Sequence, residues 1–270
     1  MPYNRPMLPV IPFPAIDPII VEIGPFALRW YALAYVAGIL IGWRLILRLA
    51  AREESGIKPA VTDDFLLWAT LGVVLGGRSG YVLFYRPGYY FENPLEIPAM
   101  WHGGMSFHGG MLGVCAAILL FAWVRRLPVF GLSDLMAAVT PIGLFFGRLA
   151  NFINGELYGR VSDVPWAMVF PGGGPEPRHP SQLYQAGLEG LCVGCIGLIA
   201  VYGFGGLKRR GLLTGMFLAG YAVARMIGEL FRQPDAHIGF LSGGSTMGQW
   251  LSVPMMLVGL GFIGWSLRRG

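Results

Sequence analysis

Stretches of about 20 mostly apolar residues recur at roughly 27–49, 65–85, 104–124, 135–153, 183–202, 212–231 and 247–267, each long enough for a helix to cross the hydrocarbon core of a bilayer. A backbone in lipid must satisfy its own hydrogen bonds, which leaves helices as the form open to single segments of this kind. The composition excludes folding in water. Of 270 residues, 54% are hydrophobic and only 13% are charged, about half the charged share of a soluble domain. Disorder is excluded by the wealth of aromatic and branched residues. Three cysteines make no disulfide framework. Cys115, Cys192 and Cys195 read as small buried apolar residues, the last two forming a C-x-x-C within an apolar stretch. The expected fold class is an all-α polytopic membrane protein with seven transmembrane helices.

The basic residues predict the orientation. Arg44, Arg48, Arg52, Lys58, Arg125, Arg126, Lys208, Arg209, Arg210, Arg268 and Arg269 fall on one side of the spans. Arg5, Arg86, Arg160, Arg178 and Arg232 fall on the other. Cytoplasmic loops carry the Lys/Arg excess, so the N-terminus is expected outside and the C-terminus in the cytoplasm. The net charge of +5 thus reflects topology; no clustered basic face points to nucleic acid. Prolines 9, 12, 14 and 18 interrupt the first 26 residues, which read as an outer-face arm rather than a cleaved signal peptide. Residues 154–182, rich in proline and glycine, read as a functional loop on the outer side.

Apart from Arg44 and Arg48 near the inner end of the first, six charged residues fall within the apolar stretches: Arg29, Arg78, Arg148, Arg225, Glu189 and Glu229. Each costs about 2.5–3.5 kcal/mol near a membrane centre, so each needs a partner, water or an anionic ligand. Arg225, Glu229 and Arg232 share a helix face at i, i+4 and i+7, and Tyr221 extends it. A self-neutralising Arg–Glu pair is the plain alternative there. Arg148, Asn151 and Gly155 form a second stripe, open either to ligand binding or to interhelical hydrogen bonding. Arg78 sits in Gly76-Gly77-Arg78-Ser79-Gly80, where binding and helix packing are equally open readings. Glu189, alone in its stretch, reads as structural. Guanidinium in excess over carboxylate at depth suits an anion, and the abundant anion in a membrane is the lipid phosphate.

His102-Gly103-Gly104-Met105-Ser106-Phe107-His108-Gly109-Gly110 opens the third stretch. His108 is a candidate general base or, alternatively, an interhelical hydrogen-bonder. His102, His108, His179 and His237 show no metal-ligand spacing, and no Walker A, dinucleotide fingerprint or nucleophile elbow occurs. No cofactor and no metal are expected.

Gly147-Arg148-Leu149-Ala150-Asn151-Phe152-Ile153-Asn154-Gly155-Glu156 resembles the signature of the bacterial prolipoprotein diacylglyceryl transferases. The segments from Gly103 to Gly110, Arg178-His179-Pro180-Ser181-Gln182-Leu183-Tyr184 and Phe231-Arg232-Gln233-Pro234-Asp235 resemble the same family in the same order. The resemblance runs from Ile23-Gly24-Pro25 to the last apolar stretch. It implies seven helices around a lipid cavity with a small periplasmic head, in the bacterial cytoplasmic membrane. It also implies transfer of a diacylglyceryl group from phosphatidylglycerol to the lipobox cysteine of a prolipoprotein signal peptide, with glycerol phosphate leaving. By matched motif it points to Tyr31, His108, Arg148, Asn151, Glu156 and Arg225 as catalytic. Phosphatidylglycerol contacts are expected from Arg148, Arg225, Gly159, Glu229 and Tyr221, with Arg78 added from its place in the membrane. On this reading His108 takes the thiol proton and the arginines stabilise the departing phosphate. Alternatively, the arginines lower the thiol pKa and His108 positions the lipid. A transporter would favour repeated halves with matching broken helices, which are absent here. A non-catalytic lipid scaffold leaves His108 and the Asn151/Glu156 set unexplained.

Overall fold

The structure, a computed structural model, describes residues 11–269 except 15, 25 and 235–238. The first ten residues of the expected arm, Asp235 of the last motif and His237 therefore lie outside the described residues. The chain forms two compact units, one of Ile46–Leu135 and one of the remaining described residues. Among the described residues, six helices are long and apolar enough to cross a membrane. They are α1 (Trp30–Ala50), α2 (Pro59–Phe84), α4 (Phe107–Arg125), α5 (Val129–Ile153), α6 (Ser181–Phe204) and α8 (Met247–Arg269). A short α3 covers Pro87–Glu92. The expected sixth span is a helix, α7 (Leu212–Glu229), but it is not among those six. Its 18 residues include Arg225 and Glu229, which lower its mean hydropathy.

Apolar sequence overstates helix at one end and understates it at another. Residues 27–29 belong to strand β3 (Phe26–Arg29), which pairs antiparallel with β2 (Ile19–Ile23), so α1 starts only at Trp30. Arg29 thus lies in a hairpin before the helix, outside the span where it was expected. In the other direction, α5 begins at Val129 and continues through Pro141 without a break. Cys115, Cys192 and Cys195 are exposed, contrary to expectation. On a membrane-crossing helix the lipid-facing surface is as apolar as a core, so residue type does not separate the two.

Within the Ile46–Leu135 unit, α2 and α4 meet backbone to backbone. A Cβ added at Gly72 would lie 2.6 Å from the Gly113 carbonyl oxygen, and one at Gly80 would lie 2.8 Å from the Gly109 Cα. This small-residue seam substitutes for the hydrophobic effect, which does not drive helices together in lipid. Ser106 caps α4, its Oγ accepting from the Gly109 N–H at 3.2 Å.

In the other unit, α7 packs on α8 in the same way, with a Cβ at Gly215 placed 2.7 Å from the Gly259 oxygen. Between α5 and α6 the chain leaves the helical pattern. Gly159 bridges Arg232, Val161 bridges Arg178, and β4 (Met168–Val169) pairs in parallel with β1 (Ile11–Pro12). Phe13 seats this layer on Phe152 and Phe170, with ring centroids 5.4 and 5.1 Å away. These pairings tie the end of α5, the start of α6 and the end of α7 together.

Candidate functional site

The charges buried in this second unit form one chain. Glu189 lies in the π-helical stretch of α6 (Ala186–Cys192) and is fully buried. Its Oε2 accepts from Arg148 Nε at 3.0 Å and Arg148 Nη2 at 2.9 Å. Its Oε1 stands 3.6 Å from Arg225 Nη1. One turn further along α7, Glu229 Oε1 pairs with Arg225 Nη2 at 2.7 Å and Arg232 Nη1 at 3.3 Å. Among the ion pairs described, three guanidiniums thus share two carboxylates. The Arg148 and Arg225 side chains remain 15% and 16% exposed while Glu189 is sealed. The carboxylates are therefore buried behind guanidiniums that stay partly exposed. Gly248 at the start of α8 permits this, because a Cβ there would lie 2.8 Å from the Glu229 carboxyl carbon.

Beside this chain, α5 ends in a tight turn. Gly155 at φ +66° and Leu157 at φ +56° are both left-handed, a region that costs a non-glycine residue about 1–2 kcal/mol. The turn carries the exposed Glu156 carboxylate, which accepts from Asn151 Nδ2 at 2.8 Å and Asn154 Nδ2 at 3.3 Å. Tyr31 lies within electrostatic reach of Glu156 and Arg148, and its hydroxyl is 3.3 Å from that of Tyr35. Tyr221 lies within electrostatic reach of Glu189, Arg225 and Arg148. Tyr31, Arg148, Asn151, Glu156, Tyr221, Arg225 and Glu229 thus all belong to one unit.

Other expected site residues have different occupations. Gly159 is a close-approach position: a Cβ would lie 2.6 Å from the His179 oxygen and from the Phe231 oxygen. Its lack of a side chain serves the pairing of three backbone segments. Arg78 belongs to the Ile46–Leu135 unit, where its guanidinium is spent on backbone carbonyls. Nε donates to Ile97 at 2.6 Å, Nη1 to Gly103 and Gly104, and Nη2 to Glu96 and Ala99. A guanidinium has five N–H donors, so none is left for the expected phosphate. Its role is to close the 86–104 segment, with Tyr90 stacked 5.0 Å from its Cζ. Arg78→Lys is accordingly expected to behave almost as badly as Arg78→Ala, since an ammonium offers three donors and no planar fork. Hydrogen exchange checks this: amides of the 94–104 stretch should lose protection about 10-fold or more in both variants, as expected for losing about 1.4 kcal/mol or more of hydrogen bonding. His108 also belongs to that unit, exposed in the first turn of α4 with its ring 5.8 Å from Phe107.

The residues missed in the sequence are those whose partners are distant. Glu189 reads as structural from the sequence, because it stands alone in its apolar stretch; its partner Arg148 is 41 residues away. Arg160 holds the end of α7, donating from Nη2 to the Glu229 oxygen at 2.9 Å and from Nε to the Arg232 oxygen at 3.0 Å. Burial, then the charge of Arg160, holds the His179 pKa below the ordinary imidazole value. Its Nδ1 lies 3.1 Å from the Tyr184 hydroxyl, which also accepts from Trp166 Nε1.

Helices long and apolar enough to cross a membrane, with arginines held inside by buried carboxylates beside ordered amides and tyrosines, define a polytopic helical membrane protein with an internal cationic cluster. Comparison with known proteins makes this specific. The family model described as "Prolipoprotein diacylglyceryl transferase" matches residues 18–265, and the chain belongs to that family. It is 60% identical over 260 residues to the phosphatidylglycerol–prolipoprotein diacylglyceryl transferase of Paramagnetospirillum magneticum, covering 96% of both chains. The protein of the same name from Rhodospirillum rubrum is 59% identical over 257 residues, covering 94% of this chain and 93% of its own. That from Rhizobium meliloti is 55% identical over 269 residues, covering 97% and 95%.

Proposed function

We propose that this chain is a phosphatidylglycerol–prolipoprotein diacylglyceryl transferase, catalysing the first step of lipoprotein maturation. The diacylglyceryl group passes from phosphatidylglycerol to the thiol of a lipobox cysteine. The thiolate sulfur attacks the glyceryl carbon that bears the phosphate, and a C–S bond forms. The C–O bond breaks, and its electron pair leaves with glycerol phosphate. The observation that carries the reading is the buried arginine cluster: Arg148 and Arg225 are held from behind by the fully buried Glu189 and Glu229, while their own side chains remain partly exposed.

In this assignment Arg148 and Arg225 bind the phosphate and stabilise the charge that develops on the leaving oxygen. Glu229 and Tyr221 hold Arg225 and Arg148 in place. Asn151 and Glu156 orient the glycerol hydroxyls, Tyr31 clamps the headgroup, and His108 accepts the thiol proton. Residues 154–182 form a head on the periplasmic face, and α7 is the seventh span. The N-terminus is periplasmic and the C-terminus cytoplasmic, as the Lys/Arg asymmetry favours. The test is incubation of the purified protein with phosphatidylglycerol and a lipobox peptide, read by peptide mass. A diacylglyceryl adduct on the Cys peptide, absent from its Cys→Ser counterpart, supports the assignment. No adduct on either refutes it.

A further inference from the structure

The turn that presents Glu156 is held by two residues to which the reaction assigns no role. The Ser181 hydroxyl donates to the Leu157 carbonyl at 3.0 Å, and the Gln182 amide donates from Nε2 to the Glu156 carbonyl at 2.6 Å. Both side chains are fully buried in the first turn of α6, whereas Glu156 itself is exposed. Leu157 occupies the left-handed region at φ +56°, which L-residues with a Cβ avoid. Its side chain is 39% exposed, so burial of the leucine does not compensate for that conformation. The compensating interactions are on the backbone: the Glu156 N–H donates to the Asn151 carbonyl at 3.1 Å, and the two carbonyls that follow are taken by Gln182 and Ser181.

We infer that Ser181 and Gln182 are positioning residues for Glu156, fixing its carboxylate by clamping the strained 155–157 turn from behind. The inference rests on the role proposed for Glu156. The helix that supplies the clamp also supplies Glu189, two turns further along, to Arg148. One rigid element therefore sets Glu156 at its start and the phosphate-binding arginine at its middle. Backbone strain of this kind persists only where the surroundings over-determine it. Removing one donor is expected to release the turn to other conformations while leaving the helices in place.

Initial rates in the peptide-mass assay test this, together with thermal unfolding in detergent. The variants are Glu156→Gln, Gln182→Met, Leu157→Gly, and the pairs Glu156→Gln/Gln182→Met and Gln182→Met/Leu157→Gly. Gln182→Met keeps the buried volume and removes the donor; it should lower the rate about 10-fold. In the Glu156→Gln background it should add less than about twofold, because two residues acting through one group are not additive. Leu157→Gly alone should leave rate and melting temperature nearly unchanged. Combined with Gln182→Met it should restore about fivefold, since glycine adopts the left-handed turn without the clamp. Gln182→Met losses that are equal in both Glu156 backgrounds, or that Leu157→Gly does not repair, overturn the inference and make Gln182 an ordinary packing residue. A Glu156→Gln enzyme with the full wild-type rate overturns the role of Glu156 and the inference with it, a result distinguishable from additivity.

Discussion

Arg148→Ala and Arg225→Ala are each expected to lower diacylglyceryl transfer by about 10³-fold or more, with the protein still folded. The geometry explains why activity and folding separate. Each buried carboxylate is served by two guanidiniums, Glu189 by Arg148 and Arg225, and Glu229 by Arg225 and Arg232. Removing one arginine therefore leaves both carboxylates paired. It also removes one of the two partly exposed guanidiniums, so a phosphate entering the site finds one forked cationic donor fewer. Removing one donor aimed at a developing oxyanion costs about 10²–10³ in kcat even when the donor is neutral, and a charged, forked donor contributes more. Arg148→Lys should recover little, because Arg148 already commits Nε and Nη2 to Glu189. The peptide-mass assay measures the rate and detergent melting the fold. Near-normal transfer by either alanine variant would remove that residue from phosphate stabilisation.

Glu189→Ala is expected to do the reverse, costing about 3–5 kcal/mol of stability, the penalty for stripping one partner from a buried ion pair. Arg148 then keeps no carboxylate among the ion pairs described, while Arg225 retains Glu229. Glu189→Gln should be intermediate, since an amide oxygen still accepts from Arg148 but carries no charge. The double variant Glu189→Ala/Arg148→Ala should be more stable than Glu189→Ala alone, because deleting both partners removes the uncompensated charge. Denaturant or thermal melts in detergent give all three values. A Glu189→Ala protein as stable as wild type would mean that Arg148 is satisfied by water, and the buried-charge account would be wrong.

Local signals in the sequence translated well into the site. The i, i+4, i+7 spacing of Arg225, Glu229 and Arg232 put them on one face, and they meet at Glu229 Oε1. Asn151 and Glu156, five residues apart, lie within reach across a single turn and are hydrogen-bonded. Hydropathy located the helices because a span must be apolar over its whole length. It failed at residues 27–29, where a short apolar run serves a strand as well as a helix.

Long-range partners were not legible. Glu189 reads as an isolated charge until α5 and α7 are packed against α6. Arg78 reads equally as a binding or a helix-packing residue until the 94–104 backbone folds over it, because carbonyl acceptors carry no sequence signature. Gly159 was legible as a motif position but not as a packing position, since the reason for its missing side chain lies in His179 and Phe231. Ser181 and Gln182 stood in a recognised motif, yet their function depends on the backbone angle of Leu157, which residue identity does not reveal.

An experimental structure with phosphatidylglycerol bound addresses the central claim most directly. The phosphate oxygens are expected within about 3.2 Å of guanidinium nitrogens of both Arg148 and Arg225, with Glu189 and Glu229 still behind them. A headgroup bound elsewhere, with both guanidiniums contacting only those carboxylates, would contradict it.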